Sequence, residues 1–533
     1  MSTDDAQPLS VAESSAVPRR VLRPRVLGAL AVFAWLAFSL GLHPLTVPDE
    51  GRYAGVAWEM LRSADWIVPT ENGLPFFHKP PLFYWLTASS MQVFGVGPAA
   101  ARVAPLLAAL AAMLGVHAVT RRRAGEAVAD AAVVVTATLP FFFVAAQYAN
   151  LDMLVAAFIA LAVVFAADAA LDLGRGAPHR KALVMAWACA ALGVLAKGLI
   201  GVVLPGLVIV VWLVAAGRWR TIPRLLSPLG LAAFVLVAAP WFVAVQQRYP
   251  EFAHYFFIHH HFERFTETGF NNPQPWWFFF VVFPALTLPW SLWLARSPGR
   301  GIGDESTDRR DWRRLMWIWL ATVLVFFSLP QSKPAGYVMP ALFPAGFLIA
   351  EPVLAAWRSG SATRRRIAAA TLAASVSICL AAVAWAAIVY DGDHTPVARA
   401  LLASRAPGDP VAFVDEYFFD VPLLARLGEP VAVIADWKDP KIGERDNWRR
   451  ELAEAARFAP ERAAALLVDR ARGFALRCGK APLWVVVKTQ DEATVAAQPD
   501  SIRVAASRRA ALWRLAPQAC GGAPSPAPMA AMR

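Results

Sequence analysis

A chain of 533 residues, 57% of them hydrophobic and only 17% charged, with a mean hydropathy of +0.45, has too little polar surface for a soluble globule of that size. It reads as a polytopic membrane protein. The net charge of +12 does not point to nucleic acid, because nearly all the arginine falls in short connections between apolar runs, where it records topology.

In chain order, the first ~20 residues look disordered, and residues 1–25 are assigned to a cytoplasmic N-terminus. A window of about 20 residues, the length that spans a bilayer, then picks out about eleven apolar segments. They lie near 26–43, 97–119, 127–147, 151–171, 181–197, 199–216, 227–247, 276–296, 313–330, 336–356 and 366–390. Between the first two lies the loop 43–96, with two short amphipathic patterns at 50–62 and 81–94, each too short to span and expected to lie in the interface. A second long loop, 248–275, opens on "YPEFAHYFFIHHHFERF" and closes on "NNPQPWW". From residue 395 the texture becomes βα alternation: "VAFV" at 411–414, a helical stretch at 417–427, "VAVIA" at 431–435, helices within 444–473, "LWVVV" at 483–487 and two late β-like runs. The expected architecture is mainly α: a membrane helix bundle over 26–390, followed by a small α/β domain over 391–520 and a disordered tail over 521–533.

The basic connections alternate. Arg19 to Arg25, Arg121 to Arg123, Arg175 to Lys181, Arg218 to Arg224, Arg296 to Arg314 and Arg358 to Arg366 fall on one side. The loops 43–96, 148–151, 197–199, 248–275 and 330–335 and everything after 390 fall on the other, so the positive-inside rule puts the N-terminus inside and the C-terminal part outside. A cleavable signal peptide is the rival reading of the first segment, but "HPLTVPDE" follows it without a small-residue cleavage site. Of the four cysteines, Cys189 and Cys379 lie in apolar runs and none has metal-type spacing. Cys478 and Cys520 lie in the C-terminal part, where an oxidising compartment would let them pair and burial alone is the alternative.

The first external loop begins "VPDEGRY", residues 47–53. Asp49 and Glu50 suit a helix start as cap and dipole partner, and equally suit chemistry. Asp152 in "QYANLDML" begins the fourth segment on the same face, where an acid at the mouth of an apolar helix tends to be functional. Lys79, Lys197, Arg264 and Lys333 are rare basic residues on that face. With Arg52 they could ring an anionic group such as a lipid phosphate, although Lys79 alone could also snorkel. His78 with His259 of the triple-histidine run is a candidate for a divalent ion, zinc or magnesium; histidines lying near headgroups are the alternative. No P-loop, dinucleotide fingerprint or serine elbow is present, so the energy for any reaction must arrive with the substrate.

The ordered motifs "PDEGRYA", "DWIVPTENGLPFFHKPPLFYW", "LDML", "AKG", "YFFIHHHFERFT…QPWWFF" and "SKPAGYVMPALFP" resemble the bacterial aminoarabinose transferase and protein O-mannosyltransferase-like superfamily, over about residues 26–350. These are C-type membrane glycosyltransferases. The resemblance implies up to thirteen spans, a bacterial inner-membrane location with the C-terminal domain periplasmic, and a polyprenyl-phosphate sugar donor. Its acceptor would be lipid A, a glycan or a protein. It also implies Asp49 as catalytic carboxylate with Asp152 beside it, Lys79, Lys197 and Arg264 on the lipid phosphate with Arg52 and Tyr53 nearby, and Tyr337 and Tyr84 lining the cavity. Two departures stand out: His78 occupies the place of a more usual acid in Glu-Lys-Pro-Pro, and "SKPAGY" that of "SKLPTY". The rival of another class is a transporter or flippase for a lipid-linked anion.

Overall fold

The structure, a computed structural model, describes residues 22–263, 273–297, 306–444 and 446–518. Its longer helices are α1 (Leu22–Ala37), α2 (Asp49–Ser63) and α3 (Leu82–Phe94), followed by α4 (Pro98–Ala124). Next come α5 (Glu126–Thr138), α6 (Pro140–Ala146), α7 (Leu151–Leu173), α8 (Arg180–Lys197), α9 (Ile200–Ala215) and α10 (Pro228–Arg248). Then follow α11 (Phe278–Leu286) and α12 (Thr307–Ser328), α13 (Ala335–Arg358), α14 (Ala362–Ile388), α15 (Thr395–Ser404) and α16 (Trp448–Ala456).

Each apolar run of the sequence forms helix, but not every run forms one long, continuous apolar helix. Among the described residues, five helices are long and apolar enough to cross a membrane, or seven if each bent pair counts as one. The difference has local causes. The run at 127–147 is broken where Pro140 cannot continue the hydrogen-bond ladder, and α5 and α6 meet at 72°. The run at 276–296 is likewise split by prolines into α11 and a 3-10 turn, Trp290–Arg296, bent by 114°. The first run stops short, α1 ending at Ala37 and giving way to turns, and α9 is shorter than a bilayer needs.

α7 lies at the centre of the bundle, with residues buried all round its circumference. α10 and α14 are equally apolar yet bury few residues, so their flanks, such as Leu236, Ile378 and Trp385, belong against lipid. The polytopic membrane character follows from this distribution of uncovered apolar helices.

α2 differs from the expected interfacial helix. α2 buries Tyr53, Val56, Ala57 and Met60 together with Glu50 and Glu59, which a helix lying on a membrane surface would not do. Its other side meets the C-terminal part. Gly51 and Gly55, one turn apart, bring the α2 backbone against Asp420 and Phe419, and a Cβ on either would stand 3.1 Å from that backbone. Asn72, in the turn between β1 (Thr70–Glu71) and β2 (Leu74–Pro75), seals the same seam by exchanging two hydrogen bonds with the Val431 backbone, at 2.8 and 2.9 Å.

The C-terminal part is built on a six-stranded sheet of β3 (Val411–Val414), β4 (Ala432–Ala435), β5 (Leu467–Asp469), β6 (Leu483–Lys488), β7 (Ser501–Ala506) and β8 (Ala510–Leu515), in the order β5-β4-β3-β6-β8-β7. The strands from β5 to β6 are parallel and β8 and β7 antiparallel. The unbroken apolar runs of β3, β4 and β6 are those of strands covered on both faces: Phe413, Val433 and Val486 point to one core, and Val414, Ile434 and Val487 to the other. Helices do lie within 444–473, at Trp448–Ala456 and Pro460–Leu466, with β5 following the second, while the stretch 417–427 contributes a single helical turn, Val421–Leu424. Cys478 is disulfide-bonded; Cys520, its expected partner, lies outside the described residues. Cys189 and Cys379 are free and buried.

Candidate functional site

Asp49 is the first residue of α2, preceded by Pro48 with no side-chain cap. It therefore stands at a helix N-terminus without being consumed as its cap. The carboxylate is half-buried, 3.8 Å from Arg52 one turn on. Burial pushes it above the usual carboxylate range; Arg52 opposes, Asp152 adds to the rise, and Lys197 pulls it down. Those influences bring together three segments that the sequence separates.

Asp152 lies in the first turn of α7, where Asn150 caps the helix by accepting a hydrogen bond from the Asp152 amide at 2.9 Å. Its Oδ1 is ion-paired to Lys197 Nζ at the end of α8, and the Lys197 ammonium also lies over the Tyr337 ring at 4.8 Å. The close approach of "SKPAGY" requires a glycine, since a Cβ on Gly336 would overlap the Asp152 carboxylate. Asp152, Lys197 and Tyr337 are thus one cluster, beside Asp49.

Glu50 does something else. Its side chain is wholly buried and paired to Arg102, which is equally buried, and it also accepts from the amides of Ala149 at 2.7 Å and Thr46 at 2.8 Å. Burial would raise its pKa, but these donors outweigh burial and hold it below the usual range. Arg102 donates its remaining N–H groups to the carbonyls of Leu40, His43 and Pro44. The pair ties the 40–50 connection, α2, α4 and the loop before α7 into one frame around Asp49 and Asp152. Arg102 was not legible as part of the site, because nothing local links it to a residue in another loop.

Arg52 is engaged by the C-terminal part. Its Nε is 3.0 Å from Glu451 Oε2 of α16, and its guanidinium packs over Phe419 at 4.9 Å and Tyr53 at 6.0 Å. Burial raises Glu451 to about 7, with Asp446, Asp49 and Glu454 adding and Arg52 opposing. Beneath them sit Glu71, whose two carboxylate oxygens are buried without a hydrogen-bond partner, and the similarly unsatisfied hydroxyl of Tyr84. Tyr84 is therefore a buried wall behind Tyr53, at 6.4 Å between rings. Glu71 and Glu451 are residues that sequence reading missed; Glu451 looks there like an ordinary acid on an amphipathic helix.

His78 stacks on Phe76 at 4.7 Å, with Nε2 3.4 Å from Glu454 Oε2. Glu454 also accepts from Tyr255 Oη at 2.8 Å and Arg450 Nε at 2.7 Å. A carboxylate thus reaches position 78 from α16, where the chain itself carries histidine. Lys79 follows, half-buried. The Lys333 ammonium donates to the carbonyls of Gln274, at 2.9 Å, Gln331 and Pro330, and so ties two loops together. Arg264 lies outside the described residues, as does the side chain of His259. Among the described residues no three His, Cys, Asp or Glu converge to hold a metal.

Comparison with known proteins follows the same lines. Residues 78–243 match the model of the dolichyl-phosphate-mannose-protein mannosyltransferase family. The chain is 32% identical over 336 residues to an undecaprenyl phosphate-alpha-4-amino-4-deoxy-L-arabinose arabinosyl transferase 2 of Pseudomonas fluorescens, covering 62% of this chain and 59% of that one. It is 31% identical over 389 residues to the corresponding transferase of Aeromonas salmonicida, covering 70% of this chain and 69% of that one. The chain spans about six tenths of the length of the first curated relatives it matches. In fold it is similar to the crystal structure of ArnT from Cupriavidus metallidurans bound to undecaprenyl phosphate, with a TM-score of 0.76 at 23% identity, covering 93% of this chain and all of that one.

Proposed function

This chain belongs to the family of undecaprenyl phosphate-alpha-4-amino-4-deoxy-L-arabinose arabinosyl transferases, and from that premise we infer that it is a membrane glycosyltransferase. It takes a sugar from undecaprenyl phosphate, or a related polyprenyl phosphate, and passes it to lipid A or a related envelope glycolipid. The reaction is assigned to the periplasmic face, with the N-terminus cytoplasmic; the arginine-rich connections on the other face support that orientation.

The observation that carries the reading is Lys197, held between the Asp152 carboxylate and the Tyr337 ring within electrostatic reach of Asp49. An ammonium at the mouth of a site with two helix N-termini, those of α2 and α7, suits a phosphate that gains charge as it leaves. In the transfer, the bond from the anomeric carbon to the phosphate oxygen breaks and its electron pair departs with the phosphate. An acceptor oxygen bonds to the anomeric carbon. Lys197 and Lys79 neutralise the departing phosphate, as would Arg264. Asp49, raised by burial towards the range of a working base, takes the proton of a hydroxyl acceptor, or orients an acceptor phosphate that has none to give. Asp152 holds Lys197 in place before the donor arrives.

The test is transfer from synthetic undecaprenyl-phosphate aminoarabinose to lipid A by the purified full chain in detergent, read by mass spectrometry. Wild-type product with none from Asp49→Asn is the expected result. Product at the wild-type rate from Asp49→Asn would refute the role of Asp49. A wild-type chain that moves labelled donor across vesicles without forming product would make it a transporter.

A further inference from the structure

A cavity of different chemistry opens near the far end of α7. α7 carries Asp152 near its start and Asp168 near its end, about 24 Å apart at 1.5 Å per residue. Around the Asp168 end, Arg123 donates to Asp168 at 2.6 Å and to Asp172 at 2.5 Å. Arg313 and Arg309 grip the buried Glu351 at 2.6 and 3.1 Å. These pairs form one wall of a hollow of about 1050 Å³. Besides Arg122, which pairs with Asp168, three further guanidiniums line it: Arg121 from α4, Arg296 from the 3-10 turn and Arg364 from α14. All three are exposed, and among the described residues none has a carboxylate partner. Arg296 rests 5.7 Å over the Trp293 ring, which also lines the hollow.

The orientation of the chain explains arginines in these connections. It does not explain why exposed guanidiniums from three separate elements converge on one concavity, because like charges facing each other are unfavourable. The arrangement suits an anionic guest. The shape specifies the guest further. Directly along α14 from Arg364, Ile367 lines the same hollow and is 51% exposed, and beyond it Ile378 and Trp385, three and five turns on along the same face, continue the apolar flank. A ligand with an anionic head and long apolar tails could fill the hollow and lie along that flank at once, whereas a soluble anion would leave the flank unused.

We propose that this hollow binds the head group of an anionic phospholipid of the adjoining leaflet, with its acyl chains along α14. The site is separate from the transfer reaction and stands whether or not that assignment holds. The full chain in detergent is titrated with cardiolipin, phosphatidylglycerol or phosphatidylcholine, and retained lipid is counted by native mass spectrometry. The expected result is preferential retention of the anionic lipids, roughly tenfold or more, and loss of that preference in the double variant Arg296→Glu, Arg364→Glu. Equal retention of cardiolipin by wild type and double variant overturns the proposal. So does binding of inorganic pyrophosphate with the affinity of cardiolipin, which would make the hollow a soluble-anion site. If the double variant is not recovered monodisperse, Arg121→Gln serves instead. Its expected effect is a several-fold loss, and unchanged retention overturns the proposal.

Discussion

Glu50 and Arg102 meet in a two-pronged ion pair, Nε to Oε1 and Nη2 to Oε2 both at 2.8 Å, with neither side chain reaching solvent. The acid next to it in the chain, Asp49, is half-exposed and has no comparable partner. Two neighbouring carboxylates therefore answer to different physics, and substitution should separate them.

Arg102→Met leaves Glu50 as a buried charge without its counter-ion, which destabilises by roughly 3–5 kcal/mol. The expected outcome is a chain that melts early or aggregates in detergent, measured by fluorescence-detected size exclusion after a heat step. Retained stability would mean that the frame does not depend on the pair.

Asp49→Asn keeps the size and the helix start. It should melt with the wild type while transfer falls by roughly 10²–10⁴-fold, the usual reach of a positioned base. Single-turnover rates on the purified chain, set beside its melting curve, check both halves.

Gly336→Ala puts a methyl group where the Asp152 carboxylate stands. The carboxylate must turn, Lys197 loses its partner, and the expected result is weaker donor binding with a stability loss of about 1–3 kcal/mol. Gly97→Ala, where an added Cβ meets nothing within 4 Å, is the control and should be neutral. Donor titration of the two variants distinguishes a local collision from a general intolerance of alanine.

Docking of the C-terminal part should weaken as pH rises. Burial lifts Glu451 from 4.5 to about 7, so the folded chain binds its proton more tightly than the unfolded chain. That contribution is complete below about 4.5 and is lost as pH rises through about 7. His394 acts in the same direction: burial opposes its charge, but Asp420, 2.8 Å away, outweighs burial and raises it above 6.5. Its share is lost as pH rises from 6.5 through the folded value. Melting temperature should therefore fall from about pH 5 to about pH 8, with a shallower slope in Glu451→Gln; an identical slope would remove Glu451 from the account.

The sequence made legible what depends on nearby residues. Runs of apolar residues announced helices, and "VAFV" and "LWVVV" announced strands, because burial on all sides leaves its mark on every consecutive position. Asp49, Asp152 and Lys197 could be placed on one face from the alternation of charged connections. What could not be read was which residue buries which. The periodicity of α2 revealed an apolar face but not that Gly51 and Gly55 press its other face against Phe419 and Asp420. The acids of α16 gave no sign that they reach Arg52 and His78, since such pairs are closed by the fold alone. Lys333 looked like one more cation on the right face, with no sign that it ties two loops together through their carbonyls.

The seam between α2 and the C-terminal part also imposes an order in time. A ribosome delivers Asp49 to the membrane about four hundred residues before Glu451, which at ~5–20 residues per second is roughly 20–80 s. Throughout that interval the carboxylates, the lysine and their helices exist without the surface that fixes Arg52 and α2. The contacts that hold Arg52 and α2 from the C-terminal side thus form only when the last quarter of the protein has emerged and folded back.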